Sequence, residues 1–254
     1  MIAAALAAAL PHGARAEGAR PAGIPCAAPA DLSRIATPLP RTAKRLAAGE
    51  PVTIVALGSS STAGAGATSP AASYPNRLAV ELSTLLPRQK ITVINRGVNG
   101  EDAAEMLARF EQSVIAEKPD LVLWQVGTNS ILRDQPLEPA GSLIHQGLVR
   151  LKAIGADVVL IDPQFAPKVL AKADVDELVD LLAATAKKDN VSLFRRFAVM
   201  RHWRQEAKIP YEAFLSPDEL HMNDWSYACI AKIMAGSIAE AASRGTLTAQ
   251  AGAR

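Results

Sequence analysis

Between residues 51 and 242, short and nearly continuous apolar runs alternate with longer segments whose apolar residues recur at helical spacing. The runs "TIVAL", "ITVIN", "DLVLWQV", "DVVLI" and "SLF" predict strands over 53–57, 91–95, 121–126, 158–161 and 192–194. The segments between and after them predict helices over 73–86, 103–116, 140–154, 174–188 and 224–242. In one of these, Val175, Leu178, Val179, Leu182 and Thr185 fall on a single face. Pro87 stops the first helix, Gly155 suits a left-handed cap before the fourth strand, and Pro119-Asp120 punctuates the start of the third. Strands this apolar are covered on both faces, and strands joined through helices pair in parallel. The pattern predicts an α/β protein: a three-layer α/β/α sandwich around a mostly parallel five-stranded sheet.

The chain has 254 residues, 49% hydrophobic and 20% charged, enough for one substantial core. A net charge of +2 with no basic stripe argues against a nucleic-acid partner. The first 16 residues read as a signal peptide. An apolar segment over 2–10 is too short to span a bilayer, and Ala14-Arg15-Ala16 fits a small-x-small cleavage site. That reading predicts a periplasmic or secreted protein whose mature chain does not insert in a membrane. Because no basic residue precedes the apolar segment, an alanine-rich leader is the open alternative. Residues 17–50 read as an irregular extension with a short helix near 41–48, residues 51–244 as the domain proper, and 245–254 as a tail. Cys26 and Cys229 form either one disulfide, as suits an exported chain, or two separate thiols.

The chemistry is sought where parallel strands end, since those ends share one rim. After the first strand comes "GSSSTAG", after the second "NRGVNGED", after the third "VGTNS", and before the last helix "SPDELHMND". A serine hydroxyl needs an imidazole within hydrogen-bond reach and an acid to orient that imidazole. His221, with Asp218 three residues ahead, is the best-placed imidazole; His12 lies in the leader, His145 on a helix surface and His202 in a packed helix. A glycine backbone and an asparagine amide can hold an oxyanion, and Gly100 and Asn129 are suitably placed. No His or Cys pair has ligand spacing, so a metal site is not expected. Arg195-Arg196 reads as a solvated strand end, with binding of an acidic substrate as the lesser option, and Trp124 as a buried strand aromatic, with Trp124 and Gln125 at the pocket border as the alternative.

The four blocks in this order resemble the SGNH hydrolases, also called GDSL esterases and lipases, whose sheet is flavodoxin-like. Gly58-Ser59-Ser60-Ser61-Thr62-Ala63-Gly64 is similar to the family's Gly-Asp-Ser-x-x-x-Gly and selects Ser60 as nucleophile. "NRGVNGED" puts the oxyanion-hole glycine at Gly100 rather than Gly97, "GTNS" makes Asn129 the side-chain donor, and Asp-x-x-His is Asp218 to His221. This chain departs from the family pattern at Ser59, Glu101, Ser130 and Met222, none of them a triad position.

The resemblance implies a serine esterase with Ser60, Asp218 and His221 as triad. Its oxyanion hole is made by the Ser60 and Gly100 amides with Asn129, and it has no cofactor. Only 4% of residues are aromatic and no apolar lid segment stands out, which favours short acyl groups, and export points to a cell-envelope or environmental polysaccharide, a saccharide or other small-molecule ester, as substrate. The expected activity is carbohydrate O-deacetylation. Lysophospholipase or thioesterase activity, or a noncatalytic carbohydrate-binding module on the same fold, are the alternatives.

Overall fold

The computed structural model describes residues 24–251, with side chains described through residue 244. The leader read from 1–16, with His12, lies outside the described residues. Five strands, β1 (Val52–Gly58), β2 (Ile91–Gly97), β3 (Leu121–Gln125), β4 (Asp157–Ile161) and β5 (Ser192–Phe194), pair in the order β2-β1-β3-β4-β5. Every pairing is parallel, so the sheet is wholly parallel where a mostly parallel one was expected. All residues of β3 and β4 are buried, which is why their runs carry no polar alternation. The edge strand β2 is only half-buried, and its sequence mixes Thr92, Asn95 and Arg96 among the apolar residues.

Helices cover both faces. Tyr74–Leu85 packs on the last helix, Asp224–Ala251, which also meets Pro40–Ala47; Leu137–Ala153 packs with Ala103–Ala108 and Val175–Lys188. Trp124 of β3 is fully buried and meets Phe110 edge-on at 5.1 Å. Burial of side chains of this size contributes about 1.5–3 kcal/mol each, so the central strands anchor the fold. Going from β1, the chain places β2 on one side and β3 on the other. The carboxyl ends of these strands therefore open a crevice at the reversal of strand order.

Three expectations need correction. The helix read over 103–116 is broken into Ala103–Ala108, Phe110–Ser113 and a 3-10 turn at Ile115–Glu117. The break falls at Arg109, which leaves helical geometry (φ −109°, ψ 8°) while its guanidinium bonds Glu101 and the Arg96 carbonyl. The last helix continues past residue 242 to Ala251. Arg196 is no solvated strand end: it opens the helix Arg196–Gln205, is 1% exposed, and donates from Nε to the Asp162 carbonyl at 3.0 Å.

The segment before β1 is part of the body of the protein. Ile35 and Leu39 are buried in the core, and Ser237 of the last helix donates to the Ser33 carbonyl at 2.6 Å. A disulfide joins Cys26 to Cys229, closing the alternative of two thiols, and the Trp203 indole donates to the Ala27 carbonyl at 2.9 Å. Among the described residues no helix is long and apolar enough to cross a membrane.

Candidate active site

β1 ends at Gly58 and the chain turns at once into the short helix Ser60–Ala63, so Ser60 stands at the carboxyl rim of the sheet. The turn is held from beneath by Gln125, the last residue of β3, whose Oε1 accepts from the Ser59 amide at 2.9 Å and the Ser59 hydroxyl at 3.0 Å. Ser59, the first departure from the family pattern, is thus a buried donor facing a neutral acceptor.

His221 arrives from the opposite side, in the loop before the last helix. Its Nε2 is 2.8 Å from Ser60 Oγ and its Nδ1 is 2.5 Å from Asp218 Oδ2. An ionised carboxylate only accepts, so Nδ1 donates to Asp218, and in the neutral imidazole this leaves the lone pair of Nε2 to accept from the Ser60 hydroxyl. Burial acts to raise the Asp218 pKa. Hydrogen bonds from the His221 ring and amide, the Ser216 hydroxyl and the Leu220 amide outweigh it and hold the carboxyl well below the usual range. Asp218 is 43% exposed against 16% for His221, so solvent screens the pair and its worth lies in orientation.

Gly66 lets the two loops meet. Its φ is +86°, and a Cβ there would lie 2.5 Å from the Met222 carbonyl and 2.9 Å from His221 Cβ. Met222, another departure, is buried and pairs with Leu215 in an isolated antiparallel bridge that closes the His221 loop.

On the other flank, Gly100 adopts φ +83° in the loop after β2. Arg133 Nη2 donates to its carbonyl at 2.6 Å. Neither the Ser60 nor the Gly100 amide donates to a protein acceptor among the described residues. Asn129, in the short helix Thr128–Leu132 after β3, donates from Nδ2 to the Glu101 carbonyl at 2.8 Å. Glu101, the third departure, is fixed by Arg109 at 2.6 Å, and Arg109 also donates to the Arg96 carbonyl at 2.8 Å. The fold thus brings Ser60, His221 and Asp218 into one hydrogen-bonded chain, with Gly100 and Asn129 on loops of the same rim. Ser130, the remaining departure, is buried beside Asn129.

Sequence reasoning missed Gly66, Arg109 and the supporting role of Gln125. Arg109 carries no local signal, whereas Gln125 is a polar residue ending an otherwise apolar run and could have been found that way. Among the described residues no group of three or more His, Cys, Asp or Glu side chains is arranged to hold a metal ion.

Fold and motif blocks together define an SGNH-type hydrolase. The chain belongs to the non-GDSL lipase-like family, whose profile matches residues 25–244. It is 29% identical over 147 residues to an arylesterase of Vibrio mimicus, covering 58% of this chain and 70% of that protein. It is 38% identical over 56 residues to an acetylxylan esterase of Geobacillus stearothermophilus, covering 22% of this chain and 26% of the relative. Among solved structures, a two-domain esterase active on acetylated mannans superposes with a TM-score of 0.69 at 22% identity. That match covers 84% of this chain and 55% of the other, so this chain spans just over half of that protein's length, and the likeness bears on the fold.

Proposed function

We propose that the protein is an exported serine esterase that removes short acyl groups, acetyl foremost, from saccharide hydroxyls. The observation that carries this reading is the chain from Ser60 Oγ through His221 to Asp218, with links of 2.8 and 2.5 Å. His221 Nε2 takes the Ser60 proton as Oγ attacks the ester carbonyl carbon. The oxyanion accepts hydrogen bonds from the Ser60 and Gly100 amides and from the Asn129 side chain, donors fixed before the charge develops. His221 then gives the proton to the departing sugar oxygen as its bond to the acyl carbon breaks; water, deprotonated by the same nitrogen, attacks the acyl-enzyme, and the proton passes to Ser60 Oγ as the carboxylic acid leaves. Asp218 stays ionised and holds the imidazole in the tautomer this requires.

The saccharide ester is supported by the acetylxylan esterase and by the esterase active on acetylated mannans. Export is supported by the Cys26–Cys229 disulfide, which suits an oxidising compartment. The test is release of acetate from acetylated xylo- and manno-oligosaccharides, alongside p-nitrophenyl acetate, butyrate and octanoate. Acetate esters should turn over fastest, and Ser60→Ala should abolish all turnover. Turnover that survives Ser60→Ala, or a preference for octanoate, would overturn the reading.

A further inference from the structure

Gln164, in the loop that follows β4, is fully buried, and its amide reaches three separate loops. Oε1 accepts from Ser61 Oγ at 3.3 Å, from Thr128 Oγ1 at 3.2 Å and from Arg196 Nη2 at 3.0 Å. Nε2 donates to the Leu220 carbonyl at 3.2 Å. Ser61, Thr128 and Leu220 are the immediate chain neighbours of Ser60, Asn129 and His221. We infer that Gln164 is a positioning residue that keeps the nucleophile, oxyanion and histidine loops in register, an inference that rests on the serine-esterase reading.

The orientation of this amide is set by charge. Arg196 is buried and offers only donors, so the oxygen of Gln164 must face it, and the planar amide then directs its N–H toward Leu220. Arg196 is itself fastened through Nε to the Asp162 carbonyl at 3.0 Å. Thr128 Oγ1 gives its hydrogen to Gln164 and receives one from Gln125 Nε2 at 3.4 Å, which connects the hub to the amide beneath Ser59. At this length an amide offers an acceptor and a donor on one rigid group without depending on protonation. Removing it from a dry interior leaves the Ser61 and Thr128 hydroxyls without an acceptor and the Leu220 carbonyl without a donor. A misplacement of about 1 Å between reacting groups costs about 100-fold in rate, so a hub tied to all three loops acts on turnover more than on binding.

The test compares Gln164→Met, which keeps the length and deletes the amide, with Gln164→Glu. The latter keeps the acceptor for Ser61, Thr128 and Arg196 and sets a carboxylate oxygen against the Leu220 carbonyl. Turnover of p-nitrophenyl acetate is measured together with the downfield proton resonance of the His221–Asp218 hydrogen bond. Gln164→Met should lower kcat at least about tenfold with KM within about twofold, and should shift or broaden the resonance. Gln164→Glu should perturb the same resonance through Leu220 while Arg196 remains paired. A folded variant with wild-type kcat and an unmoved resonance, whatever its melting temperature, would overturn the inference. If Gln164→Met does not fold, Gln164→Glu decides on the same two readouts. If neither folds, Ser61→Ala decides: it deletes one arm, and about a two- to fivefold loss of kcat supports the hub while none overturns it. A wild-type protein without esterase activity would sink the functional reading instead, so the two failures are distinguishable.

Discussion

The loop that carries His221 and the rim that faces it are fixed in opposite ways. Asp218 accepts from Ser216, Leu220 and His221, all within three positions along the chain. Across the crevice, Ser59 is held by Gln125 and Asn129 by Glu101, partners 66 and 28 residues away. The histidine loop thus supplies most of its own geometry and stands partly in solvent, whereas the opposite rim takes its geometry from the buried tertiary structure. Substitutions in the first should act on chemistry and leave the fold intact. In the second, position and stability should change together.

The sharpest separation is expected at Asp218→Asn. An asparagine can donate to Nδ1 and favour the wrong tautomer, so kcat should fall about 10³–10⁴-fold. The melting temperature should change little, because the exposed pair contributes little stability. A large fall in melting temperature would break the comparison by showing that the loop holds up the fold.

That contrast also explains what could be read in advance. The Asp218–His221 unit is local, so its spacing is visible in the chain, and the strand runs are visible because burial on both faces imposes continuous apolarity. Ser60, Gly100 and Asn129 were legible as a family pattern, since each lies just after a strand end. Arg196 is buried although two adjacent arginines carry no mark of burial, and the groups that meet it, the Asp162 carbonyl and the Gln164 amide, are distant in sequence. The broken helix at Arg109 has the same origin, since its partners Glu101 and the Arg96 carbonyl belong to the loop and strand beside it.

The disulfide extends the comparison to a region remote from the chemistry. It links residues 203 positions apart, so its removal frees a long loop of the unfolded chain. Replacing both cysteines by serine should cost about 2–5 kcal/mol and lower the melting temperature by roughly 5–15 °C. The kcat of the folded fraction should stay within about twofold, which a melt and an esterase assay on the same sample would check. A matching loss of kcat would mean that the strap bears on the site.

Gly66 and Gly100 test the two flanks with the same chemical change. Alanine at either position must adopt a left-handed backbone, at a cost of about 1–2 kcal/mol. Only at Gly66 does the added Cβ also meet backbone, 2.5 Å from the Met222 carbonyl, whereas at Gly100 its nearest neighbour is the flexible end of Arg133 at 3.8 Å. Gly66→Ala should therefore displace the His221 loop and reduce kcat by about 10–100-fold. Gly100→Ala should cost less. The reverse order would show that the Gly100 flank is the less tolerant of the two.

The smallest effect concerns pH and the buried interior behind the rim. Burial raises the Asp162 pKa to about 7, against the opposing influence of the Phe197 amide and the charges of Arg196 and Arg195. Between the unfolded value of 3.8 and about 7, the folded protein binds a proton that the unfolded chain does not. The sign follows: this contribution to stability is fully present below 3.8, declines as pH rises, and levels off above about 7. The slope is at most about 1.4 kcal/mol per pH unit. Asp162→Asn keeps an acceptor for the Phe197 amide, which Asp162 Oδ1 meets at 2.8 Å, and removes the titration. Urea unfolding at pH 5, 6 and 7 should show wild-type stability declining relative to the variant over that range. Parallel curves would mean that Asp162 remains ionised beside Arg196, and the rim's foundation would then be an ion pair instead of a protonated acid.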